Sequence, residues 1–459
     1  MIKIKGDSIY YITLILLTIF TSLLSKHIDA KEQYLSQADN LPPKKQNISG
    51  IFKAKTPHTL NKNEYADFNI ILGQATDTSI TVNLLVNENS LIYCEYGLDQ
   101  NNQFSHTEQL TATASQPIAL LLSNLSKNTQ YYYRIIQQID GAEIHYGSIH
   151  SFYTQREKSQ TFSFGVQEDS HPERAKTLYH SELYKLNIAN IAFNKPDLFF
   201  MLGDDFSIES LIADNSISQE KVNHVYASQR DYLQGAMHST ALYLINGNHE
   251  QAARYIYEGN FDYNEHYSNL AYSPIYAANA RSQYYALPSP SEFYSGDHTQ
   301  LESIGLLKDY YAWEWGDALF VTLDPYWHSA VAVDSGIPPL YEKSHDIWEI
   351  SMGDEQYHWL NNTLKNSTAK YKFVFAHHIN GRGAASILHN AEWGGYDKNA
   401  KHFKFNEYRP NWELPIHQLM VQKNVTIFFH GHDHVFSKEV VDDVIYQSLP
   451  SPADNSEDS

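Results

Sequence analysis

The chain reads Thr-Ile-Phe-Phe-His-Gly-His-Asp-His from Thr426 to His434, so an apolar run ends in a cluster of histidines. The run is typical of a short buried strand, and Gly431 permits a tight turn directly after it. His432 and His434 are two positions apart, so both imidazoles can point at one position beyond the strand. Neutral imidazoles are common ligands of transition-metal ions. The stretch therefore predicts a metal site at the end of a buried strand.

Four earlier stretches repeat this pattern of a buried strand followed by polar side chains. They are Asp169-Ser170-His171, Gly203-Asp204-Asp205, Gly247-Asn248-His249-Glu250 and His377-His378. Any one of them alone is more often a turn or a hydrogen-bonded core residue. Five in order favour a shared site, because open α/β sheets place their sites at the carboxyl ends of strands.

The combined set offers carboxylates, imidazoles and one amide, but no thiolate. This mixture suits Zn, Mn or Fe and disfavours a cysteine-based zinc site. The set contains enough ligands for two ions, and an aspartate at its centre could bridge them. We therefore expect two divalent or trivalent metal ions as cofactors.

Charge and the first residues restrict where the protein acts. The formal net charge of -20 argues against a nucleic-acid-binding surface. Lys3 and Lys5 followed by the apolar run Ile9–Phe20 predict that residues 1–30 are an export signal or an uncleaved membrane anchor. Either case predicts an exported protein that is secreted, periplasmic or held at the cell surface. The single cysteine, Cys94, excludes an intramolecular disulfide.

Composition and periodicity divide the rest of the chain. Residues 31–63 are polar and indicate a linker, and residues 451–459 indicate a polar tail. Residues 64–155 alternate with a period of two between turn signals, which predicts a small all-β sandwich. In residues 161–450 apolar strands alternate with amphipathic helical patterns, which predicts an α/β domain with mixed sheets. Within it, a helix is predicted over 172–194, and residues 257–308 are expected to be an irregular functional insertion.

The five motifs together resemble the signature of calcineurin-like metallophosphoesterases over about residues 161–450. The stretch from Leu122 to Ile135 resembles fibronectin type III domains, and a β-sandwich in this position is similar to the arrangement in secreted purple acid phosphatases. The resemblance implies two facing mixed sheets flanked by helices. It also implies a first metal held by Asp169, His171, Asp204 and His434. The second would be held by Asp204, Asn248, His377 and His432, with Asp204 bridging.

The resemblance implies an exported phosphoesterase that hydrolyses phosphate esters with a metal-activated water. His249 would be the catalytic residue near the leaving group, and Glu250 or Asp205 would orient neighbouring groups. Two alternatives remain open, a phosphodiesterase or nucleotidase and a non-catalytic binding protein on the same scaffold. In the nucleotidase alternative, aromatic side chains of the insertion would stack on a base, although they fit a local core equally well. These aromatic residues are Tyr284, Tyr285, Phe293 and Tyr294.

Several details depart from the resemblance or stay open. Purple acid phosphatases have a tyrosine ligand shortly after Gly-Asp, whereas Asp205-Phe206-Ser207-Ile208 contains none. We therefore expect no ferric-tyrosinate site. His377 is favoured over His378 as the ligand because the strand ends there. The substrate-binding residues and the oligomeric state are undefined by the sequence, and three arginines are candidates for phosphate contact: Arg174, Arg230 and Arg382.

Overall fold

The computed structural model describes residues 2–5, 8–11, 68–100, 104–175, 177–259, 270–333, 346–379 and 389–454. The predicted linker, most of the predicted export signal and Arg382 lie outside these residues. Near the chain start, β1 (Ile2–Lys5) and β2 (Ser8–Tyr11) pair as an antiparallel hairpin. Within the described part of the chain, no helix has both the length and the apolar character needed to cross a membrane.

The segment predicted as a β-sandwich is all-β. Its strands are β3 (Asn69–Gly73), β4 (Ile80–Leu85), β5 (Ser90–Gly97), β6 (Ser105–His106), β7 (Leu110–Ala112), β8 (Ile118–Leu122), β9 (Gln130–Gln138), β10 (His145–Tyr146) and β11 (His150–Tyr153). The hydroxyl of Tyr131 accepts a hydrogen bond from the backbone N–H of Ser126 at 2.8 Å. This local bond closes the corner that leads into β9, as in other two-sheet β-sandwiches.

The remaining residues form the predicted mixed α/β architecture. Its strands are β12 (Phe162–Gln167), β13 (Leu198–Met201), β14 (Ala241–Leu244), β15 (Ser295–Gly296), β16 (Gln300–Leu301), β17 (Gly305–Leu306), β18 (Tyr311–Trp315), β19 (Ala318–Thr322), β20 (Tyr371–Phe375), β21 (Ile427–His430), β22 (Ser437–Val441) and β23 (Val444–Ser448). Its helices are α1 (Ser181–Asn194), α2 (Glu209–Ala213), α3 (Gln219–Met237), α4 (Arg254–Tyr257), α5 (Ser273–Tyr284), α6 (Asp354–Asn366), α7 (Ala391–Gly394), α8 (Phe405–Tyr408) and α9 (Ile416–Gln422).

Two large sheets form the centre of the fold. The first has the order β2-β1-β12-β13-β14-β3-β4-β8, and the second has the order β15-β18-β19-β20-β21-β23-β22. The sheets face each other across an aromatic core, in which the rings of Phe200 and Phe375 stack at 4.3 Å. Helices α1, α3 and α5 contribute to the core on the outer side of the first sheet, and α6 and α9 to that of the second. The expected arrangement of two facing mixed sheets flanked by helices is confirmed.

One sheet runs through both predicted domains. Strand β3 of the sandwich segment lies beside β14, where Leu72 pairs with Ala241. The fully buried Arg230 of α3 donates to the side chains of Asn69 and Asn83 at 2.9 and 2.6 Å. These bonds compensate its buried charge and hold α3 against β3 and β4. The prediction that Arg230 contacts phosphate is therefore wrong.

The predicted insertion is only partly irregular, because it contains α5. Tyr284, Tyr285 and Tyr294 are at most 4% exposed, and Tyr285 donates its hydroxyl hydrogen to the carbonyl of Tyr226 at 2.9 Å. Phe293 packs against the same core region as Tyr294. Because the three tyrosine rings are buried in protein and the partly buried Phe293 packs against the same core, the base-stacking hypothesis is wrong and the local-core alternative is correct.

Two predicted boundaries differ from the structure. The helix predicted over 172–194 is a 3-10 turn (Pro172–Arg174) and then α1, which begins only at Ser181. Within the predicted polar tail, Ala453 is fully buried and its carbonyl accepts a hydrogen bond from the backbone N–H of His180.

Candidate metal centre

The ends of five strands converge at one edge of the two sheets. Strands β12, β13 and β14 are parallel to one another, as are β20 and β21, so their carboxyl ends deliver the five motifs to the same region. The structure brings together all seven residues predicted as metal ligands: Asp169, His171, Asp204, Asn248, His377, His432 and His434. Their donor atoms fall into two groups that meet at Asp204.

The first group surrounds the carboxylate of Asp169. Nε2 of His171 and Nε2 of His434 each lie 3.4 Å from Asp169 Oδ1. Nε2 of His171 is also 3.8 Å from Oδ2 of Asp204. Asp169 Oδ1 and His171 Nε2 are buried without a hydrogen-bond partner among the described residues. Buried polar atoms of this kind require an explanation, and a cation between them supplies one.

The second group lies on the other side of Asp204. Nε2 of His377 is 3.1 Å from Asp204 Oδ2 and 3.1 Å from Oδ1 of Asn248. Nδ1 of His432 is 3.1 Å from the same Asn248 oxygen and 3.3 Å from Nε2 of His377. The ring of His378 packs against those of Tyr326 and His432.

These separations fit ligands that share a metal ion. Bonds of about 2.0–2.1 Å place neighbouring ligand atoms about 3.3 Å apart in a tetrahedron and about 3.0 Å apart in an octahedron. The separations of 3.1 to 3.4 Å around Asp169 and within the second group match that range. The 3.8 Å between His171 Nε2 and Asp204 Oδ2 is longer. The donor set contains imidazole, carboxylate and amide atoms, which suits Zn, Mn or Fe. The residues present therefore fit two metal ions.

The carboxylates and imidazoles of the centre shift one another's pKa values. Burial opposes ionisation of Asp204, but the neighbouring His377 and His249 hold its pKa below the usual range. Burial also opposes protonation of His171 and His377, yet their carboxylate partners raise the pKa of each to about 10. Protons thus balance the carboxylates in the metal-free protein. Metal binding must displace these protons, so it is expected to be weaker at low pH.

Glu250 fixes the backbone of two motif loops. Its Oε1 accepts from the N–H groups of Asp205 and Phe206, and its Oε2 accepts from those of Asp204 and Gly247. The four distances lie between 2.7 and 3.0 Å. This is the orienting role predicted for Glu250. Asp205, the other candidate, is fully buried, and burial raises its pKa well above the usual range.

Other bonds orient the imidazoles and carboxylates themselves. Nδ1 of His377 donates to the carbonyl of Leu202 at 3.0 Å, which leaves Nε2 directed at Asp204. Nδ1 of His171 lies 2.9 Å from Oε1 of Glu173. Bonds of this type set the tautomer and direction of a metal-binding imidazole. Sequence reasoning missed Glu173, whose only signal is its position two residues after His171.

Glu168 is a second residue that the sequence reasoning missed, and its carboxylate packs directly against Gly431. A Cβ atom at position 431 would overlap Oε2 of Glu168, so only glycine fits beside this carboxylate. Glu168 is fully buried directly after β12, and burial together with the adjacent Asp169 raises its pKa well above the usual range. The available signal was an acidic residue between a buried strand and a predicted ligand.

The backbone is strained where the motifs turn. Several of the predicted ligands have left-handed φ angles between 45° and 75°, a conformation that is uncommon outside glycine. They are Asp169, His171, Asp204, His432 and His434. Such strain persists only where the surroundings over-determine the backbone, and it clusters at functional sites.

His249 lies at the rim of the centre. Its side chain is 13% exposed, and its Nε2 is 3.7 Å from Asp204 Oδ2 and 3.1 Å from Nη2 of Arg174. Its Nδ1 is 2.9 Å from Oε2 of Glu209, which sequence reasoning did not identify. Burial lowers the pKa of His249, but the carboxylates of Asp204 and Glu209 outweigh it and raise the pKa overall. Arg174, one of the three arginine candidates, is thus beside the centre.

Comparisons with known proteins agree with this geometry. The family model described as calcineurin-like phosphoesterase matches residues 169–436, more than half of the chain. A structure titled PhoD is 16% identical, with a TM-score of 0.58, and the match covers 86% of this chain and 78% of that one. No match was found among curated proteins.

Purple acid phosphatase PPD1 from yellow lupin seeds is 14% identical, with a TM-score of 0.51. The match covers 84% of this chain but only 65% of the plant enzyme. A human fibronectin type III domain is 14% identical over 20% of this chain, with a TM-score of 0.17. From the match of the family model, this chain belongs to the calcineurin-like phosphoesterase family.

Proposed function

We propose that this protein is a metal-dependent phosphoric ester hydrolase whose two metal ions share Asp204. The observation that carries the proposal is the meeting of two ligand groups at Asp204 Oδ2, which lies 3.1 Å from His377 Nε2 and 3.8 Å from His171 Nε2. Membership of the calcineurin-like phosphoesterase family supports a phosphate ester as the substrate.

The proposed ligands divide as the two groups do. The first ion would be held by Asp169, His171, Asp204 and His434, and the second by Asp204, Asn248, His377 and His432. When bound, the ions would supply Lewis-acid chemistry that polarises the phosphate and lowers the pKa of a water.

Residues of the chain itself would position the ester and move one proton. The guanidinium of Arg174 is placed to bind a phosphate oxygen, since it lies beside His249 at the rim. We assign His249 the role of donating a proton to the leaving oxygen. Glu209 favours this role because its Oε2 lies 2.9 Å from Nδ1 and Nε2 is left facing the centre. Nη2 of Arg174 can only donate, so Nε2 carries the proton once this guanidinium has turned to a phosphate oxygen. The raised pKa of His249 favours the protonated form that an acid requires.

Hydrolysis of an aryl phosphate tests the proposal. Activity should require added Mn²⁺ or Zn²⁺ and disappear on chelation, and Asp204→Ala should abolish it because both ions lose a ligand. Asp197→Asn is a matched control: Asp197 has a side chain that is 5% exposed and paired with Arg156, just before β13, whereas Asp204 follows that strand. An Asp204→Ala variant with near-full turnover and unchanged metal content would refute the two-metal assignment. A panel of mono- and diesters would define the substrate class.

Export is a further part of the proposal. It is supported by the basic start at Lys3 and Lys5 and by the apolar run that follows. Strand β1 pairs with β12, so cleavage of a signal would remove two strands from one edge of the first sheet. N-terminal sequencing of the mature protein and fractionation of the producing cells would test it. A cytoplasmic protein with an intact N-terminus would contradict export.

A further inference from the structure

A second cluster of metal-binding side chains lies outside the five motifs. Asp297 directly follows β15, Asp309 lies two residues before β18, and His328 lies in the loop after β19. One donor atom from each comes within 4.8 Å of the other two. Asp297 and Asp309 are at most 2% exposed. Three separate segments therefore bring two buried carboxylates and an imidazole together.

Both carboxylates are oriented in the same way. Oδ1 of Asp297 accepts from the backbone N–H of Thr299, and Oδ1 of Asp309 accepts from that of Tyr310, each at 2.8 Å. The remaining oxygens face His328, whose Nε2 is 3.1 Å from Asp309 Oδ2 and 3.9 Å from Asp297 Oδ2. Oδ2 of Asp297 is buried and has no hydrogen-bond partner among the described residues. It is aimed at the centre of the cluster.

Among the described residues, one side chain that can carry a positive charge lies within ion-pair distance of the two carboxylates. Arg281 borders the same small cavity as Asp309, but it donates to the backbone carbonyls of Lys308 and Leu244. Among the described residues, the ion-pair partner of both carboxylates is His328, which brings at most one positive charge. An uncompensated buried carboxylate is strongly unfavourable. A divalent cation would balance the cluster.

We propose that Asp297, Asp309 and His328 form a third metal site, separate from the centre at Asp204, that binds a divalent transition-metal ion such as Zn²⁺ or Mn²⁺. One imidazole and two carboxylates are a donor set that suits these ions. The two backbone bonds to Oδ1 atoms fix the direction of the carboxylates, as neighbouring groups do in other metal sites.

The site has a structural role in positioning the loop after β19. His328 ties this loop to the segments of Asp297 and Asp309. In the same loop, Asp324 accepts from the side chain of Asn246 at 2.8 Å, and the ring of Tyr326 packs 5.4 Å from that of His378. The third ion would therefore hold a loop that contacts the surroundings of the first two.

Metal content measured by mass spectrometry tests the proposal independently of activity. Chelated protein is reloaded with Zn²⁺ and freed of excess metal. His328→Gln and Asp297→Asn should each bind one equivalent less than the wild type. His417→Gln is the matched control, because His417 is also a buried histidine but contacts Tyr446 and Asp442 outside any of the clusters. Its metal content should equal that of the wild type.

A spectroscopic experiment covers the case in which these variants fail to fold. Asp204→Ala impairs the proposed dinuclear centre, so the third site should remain able to bind Co²⁺. Asp204→Ala keeps all three residues of the third site, so it should show visible d–d absorption when Co²⁺ is added, and the absence of this absorption would overturn the proposal. Where the Asp204→Ala, His328→Gln double variant folds, it should bind one equivalent of Co²⁺ less than Asp204→Ala. Equal Co²⁺ and Zn²⁺ binding with and without His328 would overturn the proposal. The cluster would then be only a hydrogen-bonded pair of Asp309 and His328 beside Asp297.

Discussion

Replacing Glu250 by glutamine should loosen the metal centre without changing any proposed ligand. Each carboxylate oxygen of Glu250 accepts two backbone N–H groups. In Glu250→Gln, whichever way the amide is turned, its NH₂ group faces two N–H donors and cannot accept from them. Two charge-assisted bonds are therefore lost, and two buried N–H groups are left without an acceptor.

The loss can be estimated from these contacts. A hydrogen bond to a charged group contributes about 1.5–3 kcal/mol, so two lost bonds lower the free energy of unfolding by about 3–6 kcal/mol. The same bonds fix the loops that carry Asp204 and Asn248. Removing a residue that orients metal ligands typically weakens metal binding by about 10–100-fold. Both effects are expected in Glu250→Gln.

Urea unfolding of the metal-free protein and chelator competition measure the two effects separately. Glu392→Gln is a suitable control, because Glu392 is also buried and accepts from the backbone N–H of Met352 at 2.9 Å, but it belongs to α7. This control should lower stability while leaving metal affinity at the wild-type value. If Glu250→Gln bound metal as tightly as the wild type, the proposed link between Glu250 and the centre would be refuted.

Three other variants probe the centre and the fold. His249→Ala should slow alkyl phosphate hydrolysis by about 10²–10⁴-fold and a nitrophenyl ester much less, because nitrophenolate leaves without a proton; equal slowing of both, at unchanged metal content, would exclude the acid role. Gly431→Ala should lose metal, since its Cβ would overlap Glu168 and lie 2.8 Å from Oδ2 of the proposed ligand Asp169; wild-type metal content would contradict this. Burial and the stacked His150 lower the pKa of His238 from 6.5 to about 3. The contribution of neutral His238 to the free energy of unfolding should therefore be complete above pH 6.5 and decrease as the pH falls toward 3. His238→Asn should flatten that dependence in urea unfolding, and an unchanged slope would rule out His238 as its source.

The parts of the fold that follow from local pattern were predictable from sequence. The buried strands before the motifs appear as continuous apolar runs. As predicted, each motif follows such a strand: β12, β13, β14, β20 and β21 end one to three residues before the motif. Their order along the chain also indicated that the motifs would share one edge. Local periodicity carries this information because each strand is buried on both faces.

Contacts between distant segments were not predictable. Nothing near Arg230 in sequence indicates that its partners are Asn69 and Asn83, more than 140 positions away. Helix α5 was missed because its aromatic and small residues lack a clear apolar stripe, and tertiary packing against α3 decides its burial. The shared first sheet likewise depends on β3 meeting β14.

In the candidate site, too, features set by local sequence were predictable and contacts between distant segments were not. The proposed ligands were recognisable because each follows a strand. Glu168 and Glu173 had only their positions next to predicted ligands as a signal, and Glu209 was found from its contact in the structure. The cluster of Asp297, Asp309 and His328 has no sequence motif, since three loops supply one residue each. Single charged residues in loops are too common to predict such a site.

Anomalous X-ray diffraction from metal-loaded crystals tests the central claim most directly. The account predicts two peaks on opposite sides of Asp204 Oδ2, about 3.5–4 Å apart. One should contact His171 and His434, and the other should contact His377 and His432. A single peak in this region, or two peaks of which neither contacts Asp204, would contradict the bridged two-metal centre.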